Sequence, residues 1–177
     1  MSIALIAIGN VDREVLETLK ARLASTFKKD FSICAPIPLP GRGFDDIKEQ
    51  YSSVDIIRYL EGNGEYGDFE KVLGVIDRDL YVPGFNFVFG QAGEKASIIS
   101  LLRLKQEFWG LPEDIELFFK RAITEAVHEL GHSYGLKHCE DPLCVMFFSN
   151  TISDTDRKGV WFCMDCEHKL GGLMPWR

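Results

Sequence analysis

The stretch HELGHSYGLKHCEDPLCVMFF, from His128 to Phe148, holds three of the chain's four histidines within eleven residues, with two cysteines and a methionine close behind. His128 and His132 stand four apart, so on a helix their imidazoles project side by side and can converge on one ion. Glu129 points to a neighbouring angle, where a carboxylate reaches a metal-bound water without displacing it and serves as general base. Gly135 accepts the left-handed conformation that ends such a helix, and the turn returns His138 toward the ion. Three neutral imidazoles with an open fourth position describe a catalytic zinc site, not a closed structural one. HExxH alone is a short, common pattern, whereas HExxHxxGxxH on an amphipathic helix is far more specific.

A second ligand set follows at once. Cys139 and Cys144 are separated by four residues, and Cys163 and Cys166 form a CxxC pair about twenty residues further on. That spacing suits a tetrahedral Cys₄ zinc site, so two zinc ions per chain are expected, one catalytic and one structural. Structural zinc of this kind supplies roughly 10–16 kcal/mol toward folding in small modules. The fifth cysteine, Cys34, sits in the apolar run FSICAPI and reads as a small buried apolar side chain. His168 reads as a surface residue or a neighbour of the metal site, not a ligand.

These groups need a scaffold. IALIAI at 3–8 reads as a buried strand, and Asn10 or Asp12 caps an amphipathic helix over 12–27 on Val15, Leu16, Leu19, Leu23 and Phe27. Strands are expected at 31–37 and 71–77, then at NFVFG (86–90) and ASIISLLRL (96–104) on either side of the turn QAGEK. A helix starts at Ser52 or Ser53 and runs through Leu60, and EGNGEYGD reads as a loop. The long helix is entered at Pro112, with Glu113 and Asp114 in its first turn. On a wheel, Ile115, Phe118, Phe119, Ala122, Ile123, Ala126, Val127 and Leu130 share one apolar face, away from His128 and His132. The alternation of strand and helix predicts an α/β lobe on a mostly parallel sheet. The last forty residues lack strong periodicity and carry four cysteines, so a metal is expected to order them.

The 177 residues suit one domain of two lobes, 1–135 ending in the active-site helix and 136–177 beyond it. The formal net charge of −7 gives no general attraction for phosphate backbones or anionic lipid, so neither nucleic acid nor membrane is an expected partner. The N-terminus lacks a basic region and has only a six-residue apolar run, which points to a cytoplasmic chain in a reducing compartment. It is expected to be a monomer.

HELGHSYGLKH followed by CVMFF resembles the metzincin clan of zinc peptidases. The cysteine directly after the third histidine narrows the resemblance to the archaemetzincins, with Cys139, Cys144, Met146, Cys163 and Cys166 matching in order. The gap from Met146 to Cys163 is slightly shorter than the family pattern. KEQYSSVDIIRYL and VIDRDLYVPGFNFVFGQA also look like family segments, so the resemblance covers most of the chain. It implies a metzincin-like α/β fold: a mixed, mostly parallel twisted sheet, an active-site helix and a small, irregular, zinc-stapled C-terminal lobe. It also implies that His128, His132 and His138 bind the catalytic zinc, that Glu129 is general base and acid, and that the four cysteines bind the structural zinc. Met146 would form the Met-turn, an apolar floor beneath the imidazoles. The edge strand near 86–90 would receive an extended peptide or protein substrate by strand addition.

One part is missing from this pattern. Several metzincins carry a tyrosine two residues after the Met-turn methionine, and here that position is Phe148, which has no hydroxyl for an oxyanion. Tyr134 and Tyr81 are the other candidates for that task, although packing is the commoner role of such residues. Asp77 and Asp79 could anchor a free α-amine if the activity were an aminopeptidase; turn and cap roles are the commoner use of such residues. Against the metallopeptidase stand two readings: a zinc-binding module with little or no proteolysis, and a zinc-ribbon nucleic-acid binder. The latter is opposed by Glu140, Asp141, Asp154, Asp156 and Asp165 within residues 139–166, against only Arg157 and Lys158 there.

Overall fold

The computed structural model describes residues 2–173. The central strand β1 (Ile3–Ile8) is buried along its whole length, and its two faces serve different cores. Ile3, Leu5 and Ala7 face helices α1 (Arg13–Phe27) and α3 (Ile115–Ser133), while Ala4, Ile6 and Ile8 face α2 (Ser53–Gly62). This alternation follows from the two-residue period of a strand covered on both sides. With β2 (Phe31–Ile33), β5 (Lys71–Ile76), β7 (Gly90–Ala92) and β8 (Ala96–Ser100), it forms a sheet of order β2-β1-β5-β8-β7. The first four strands are parallel and only the edge strand β7 is antiparallel. The fold is thus mixed α/β with a mostly parallel sheet.

Several boundaries differ from expectation. The ladder at 31–37 stops at Ile33, and Ile37 adds only an isolated bridge to Ile8. Pro36 and Pro38 have no N–H to continue it. The edge strand is displaced from 86–90 to Gly90–Ala92, because Val88 turns away to donate to the Leu80 carbonyl at 2.9 Å. The turn is correspondingly short, closed by Gly93 N–H donating to Ala96 at 2.7 Å. A small second sheet, unanticipated, joins β3 (Phe44–Asp45), β4 (Gln50–Ser52) and β6 (Leu80–Tyr81). Strands of two or three residues are too short to show a period.

Helix α1 is capped by Asp12, whose Oδ1 accepts from Glu14 N at 2.9 Å, and it buries all five expected apolar residues. Helix α2 is capped by Ser52, and the loop after it contains a short 3₁₀ turn at Gly64–Tyr66. Helix α3 starts at Ile115, not at Pro112; Asp114 is the cap, with Oδ1 accepting from Leu117 N at 2.9 Å. Ile115 overhangs the sheet and is exposed, while Phe118, Ala122, Ile123, Ala126, Val127 and Leu130 are buried against it.

The stretch from residue 136 to 173 is less irregular than its sequence suggests. It contains α4 (Ile152–Arg157) and α5 (Met164–Leu173). Helix α4 begins in a reciprocal capping box between Thr151 and Asp154. Six and ten residues are too few for their periodicity to stand out. Among the described residues, no helix is long and apolar enough to cross a membrane.

Candidate active site and metal centres

Helix α3 carries His128, Glu129 and His132 in its last two turns, and its end is built as the glycine predicts. Gly135 adopts φ 92°, its N–H donates to His132 O at 2.8 Å, and Leu136 N–H donates to Gly131 O at 3.0 Å. This paired closure reverses the chain and carries His138 back over the helix end. The ring centroid of His138 lies 4.7 Å from that of His132 and 5.4 Å from that of His128. The metal-binding ring atoms of all three lie within 4.8 Å of one another.

Backbone carbonyls orient two of the rings. His128 Nδ1 lies 2.8 Å from Val145 O, and His132 Nδ1 lies 2.8 Å from Leu136 O. A carbonyl only accepts, so both Nδ1 atoms carry the proton and both Nε2 lone pairs are left free. These Nε2 atoms face each other at 3.0 Å. Two nitrogen ligands of one tetrahedral zinc stand about 3.3 Å apart, so the pair is close to metal-binding geometry. Burial lowers the pKa of all three histidines, aided at His128 by nearby Lys158 and His132, and a neutral imidazole is the form that binds metal.

Glu129 is buried beside them. Burial first, then the like charge of Glu125 one turn earlier, pushes its carboxyl well above the usual carboxylate range. The edge strand leaves room for it only because residue 90 is glycine: a Cβ there would lie 2.6 Å from Glu129 Cγ. Together these groups border a cavity of about 560 Å³. Helix α3 forms its floor, residues 85–92 form one wall, and Phe148, Ser149 and Asn150 form the other.

Met146 is fully buried and packs against Gly131, where a Cβ would lie 2.6 Å from its Sδ. Its carbonyl accepts from Cys139 N at 2.9 Å, which ties the methionine loop to the third histidine's neighbour. The sulfur atoms of Cys139, Cys144, Cys163 and Cys166 form a second cluster, each within 4.8 Å of the others. Cys139 Sγ and Cys163 Sγ lie 3.7 Å apart, close to the roughly 3.8 Å edge of a tetrahedral zinc–thiolate centre. None of the four is in a disulfide. The two clusters are thus separate, with His138 and Cys139 adjacent in sequence but in different ones.

Other side chains fall outside the cleft. Asp79 is held by Arg103 through two bonds of 2.7 and 2.6 Å, and Asp77 pairs with Lys105 at 2.6 Å, so both are engaged as ion-pair partners. Tyr134 donates to Glu70 at 3.0 Å and packs on Phe27, while Tyr81 lies under the Lys48 ammonium. Phe148 does line the cleft, 4.8 Å from the His138 ring. His168 is exposed. Cys34 is half-buried against the α2-side core, and burial raises its thiol pKa.

Lys158, which the sequence presents only as one of two basic residues among the acids of 139–166, is buried beside the site. Its side chain is 0% exposed, with Nζ 3.2 Å from Glu125 Oε1 and 3.4 Å from Phe147 O. Thr155 also donates to Glu125 Oε1 at 3.0 Å, and Arg121 forms a bidentate pair with Asp156 at 2.7 Å. This buried polar network clamps α4 onto α3 beside the histidines: Glu125 and Lys158 both border the cavity, and Lys158 Nζ lies 3.4 Å from His128 Nδ1. The only sequence signal was Glu125 itself, an acid one turn before Glu129 on a largely apolar helix.

The sequence model of peptidase family M54 matches residues 51–171. The archaemetzincin of Pyrococcus furiosus is 40% identical over 176 residues, covering 95% of this chain and 91% of that protein. The archaemetzincin of Saccharolobus solfataricus is 32% identical, covering 98% and 94%. Among solved structures, the archaemetzincin of Methanopyrus kandleri superposes with a TM-score of 0.86 at 31% identity, covering 98% of this chain and 94% of that one. With the fold, the histidine cluster and these similarities in hand, the chain belongs to peptidase family M54, the archaemetzincin family of zinc metallopeptidases.

Proposed function

We propose that the chain hydrolyses peptide bonds with Glu129 as general base and general acid, at a zinc held by Nε2 of His128, Nε2 of His132 and a ring nitrogen of His138. The observation that carries this reading is a buried glutamate beside three imidazoles whose ligand atoms lie within 4.8 Å, all opening into one cleft. Zinc at such a site polarises the scissile carbonyl and lowers the pKa of water toward about 7. Glu129 removes a proton from the attacking water and returns it to the leaving amine nitrogen. Burial and the nearby Glu125 charge raise its pKa, which favours taking up the proton that it later returns. Val145 O and Leu136 O keep His128 and His132 in the metal-binding tautomer throughout.

The peptide lies along the free edge of β7 as an added strand, which aligns its backbone with the cleft. A second zinc, enclosed by Cys139, Cys144, Cys163 and Cys166, is structural. On this reading residues 1–135 form the catalytic lobe and residues 136–177 the stapled one, with Met1 and 174–177 outside the described residues. The chain works as a cytoplasmic monomer on peptide or protein substrates, without nucleic acid or membrane.

Phe148 at the cleft wall keeps a second reading in play, a zinc-binding module of little proteolytic activity, since no tyrosine hydroxyl stands there for an oxyanion. Elemental analysis with a peptide-library cleavage assay on wild type and Glu129→Ala separates the two. Two zincs per chain with Glu129-dependent cleavage support the enzyme. Two zincs and no cleavage of any peptide support the module, and loss of zinc in Glu129→Ala would remove the role given to that residue.

A further inference from the structure

The wall of the cleft formed by residues 85–89 is a loop with little strand pairing of its own, and its anchor is Arg103. The guanidinium of Arg103 sits 4.1 Å from the ring centroid of Phe87, a cleft residue, and 4.7 Å from that of Phe108. Its charge is neutralised by the bidentate pair with Asp79. Gln50 Nε2 extends the anchor by donating to both Asp79 Oδ2 at 2.9 Å and Asn86 O at 2.8 Å. On the far side, Trp109 Nε1 donates to Arg103 O at 3.0 Å, and its ring meets Phe108 edge-on at 5.1 Å. A continuous line of contacting planar groups therefore runs from Phe87 inside the cleft, through Arg103, to Phe108 and Trp109 outside it.

The outer end of this line is exposed. Phe108 is 39% accessible, Trp109 40% and Leu111 52%, on a 3₁₀ turn closed by Gly110 at φ 73°. The two rings are pinned in place but left partly open to water, an apolar surface with the exposed Glu107 in the same turn. Phe108 is at most about 9 Å from Phe87, a span that an extended chain covers in about three residues.

We propose that Phe108 and Trp109 are a second docking site for the polypeptide substrate, taking an apolar or aromatic segment a few residues from the bond that is cut, with Arg103 joining this site to the cleft. The inference rests on the peptidase reading, because the occupant is the flank of a chain already held in the cleft. Continuity of the stack with the cleft favours that occupant over an unrelated partner. An uncharged aromatic pair favours Leu, Phe or Trp in the flank over acidic or basic residues. Arg103 acts here as a positioning residue: its planar fork both stacks and pairs, which a lysine cannot reproduce.

The test compares a hexapeptide that fills the cleft with the same peptide extended at either end by six residues, in one series apolar and in another Gly/Ser. In wild type the apolar flank at one end should lower KM about tenfold relative to the Gly/Ser flank, with kcat unchanged. Phe108→Ser/Trp109→Ser should lose that difference, so that apolar and Gly/Ser flanks give one KM, whatever common change the variant brings to all the peptides through Arg103. Trp109→Ser alone serves if the double variant does not fold. Arg103→Lys should raise KM for every peptide, because the cleft wall itself loosens. Equal KM for the two flanks in wild type, or a difference between the flanks that survives in Phe108→Ser/Trp109→Ser, would overturn the docking site. If zinc-loaded wild type cleaves none of the peptides, the peptidase reading fails instead. Fluorescence anisotropy of the labelled flanked peptides then still decides the docking site, which is lost if wild type and the double variant bind them equally.

Discussion

Glu129 and Gly90 face each other so closely that a Cβ on residue 90 would stand 2.6 Å from Glu129 Cγ, 2.8 Å from its Oε1 and 2.8 Å from Ile98 O. The carboxylate proposed as general base and the edge strand proposed to bind substrate are therefore placed by one contact, with backbone behind it that cannot yield.

Gly90→Ala should move either the carboxyl or the strand. A displacement of about 1 Å near the reacting atoms costs on the order of 10²-fold in rate. Steady-state kinetics on a cleavable peptide, beside zinc analysis, should show kcat/KM down by about that factor with metal content unchanged. Wild-type kcat/KM in Gly90→Ala would mean that Glu129 has more freedom than this contact allows.

Lys158 and Glu125 form an ion pair with side chains 0% and 4% exposed. Removing one partner strands the other charge in the interior, at a cost of about 3–5 kcal/mol, whereas replacing both with apolar side chains can be nearly neutral. Lys158→Met should lower stability to urea by that amount, and Glu125→Leu/Lys158→Met should recover most of it. A double variant as unstable as the single one would show that the pair is not the unit assumed.

The capping box of α4 should leave a mark on acid stability. Hydrogen bonds from the Thr151 hydroxyl, then from the Thr151 and Asn150 N–H groups, hold Asp154 below its ordinary pKa despite a smaller opposing effect of burial. A depressed folded pKa adds stability above the unfolded value of about 3.9, and that stability is lost as pH falls through the lower folded value. Thermal melts of wild type and Asp154→Asn should differ by a constant amount above about pH 5 and converge as pH falls through the depressed folded value. Thr151→Ala should cost about 1 kcal/mol near neutrality.

Cys163→Ser should open the second cluster. Zinc content is expected to fall from two ions per chain to one, and limited proteolysis should cut within 139–173. Because Cys139 directly follows His138, the loss should also weaken the first site, lowering metal affinity by about 10–100-fold in competition with a chelator. Retention of two zincs would exclude the four cysteines as the second centre.

The local parts of this arrangement were legible from the residues alone. A four-residue spacing on a helix, a glycine at the turn and paired cysteines act over one or two turns, where covalent periodicity dictates which side chains meet. The two long buried strands, the cap at Asp12 and the apolar face of α3 are of the same kind. The short strands β3, β4 and β6 were not legible, because two or three residues carry no period. The edge strand was misplaced for a related reason: Phe87, Val88 and Phe89 have strand-forming side chains, yet the ladder forms on Gly90, Gln91 and Ala92, where β8 offers partners.

The sequence by itself therefore determined the chemistry on offer: three histidines, a glutamate beside them, four cysteines and a helix able to present the first group. The tertiary structure decided what surrounds that chemistry. It buried Lys158 against Glu125 across 33 residues, brought Gly90 against Glu129 across 39, and stacked Arg103 between Phe87 and Phe108. None of these contacts has a local signature, because each depends on how strands and helices pack once the chain has folded, and packing is set by the whole core and not by any one segment.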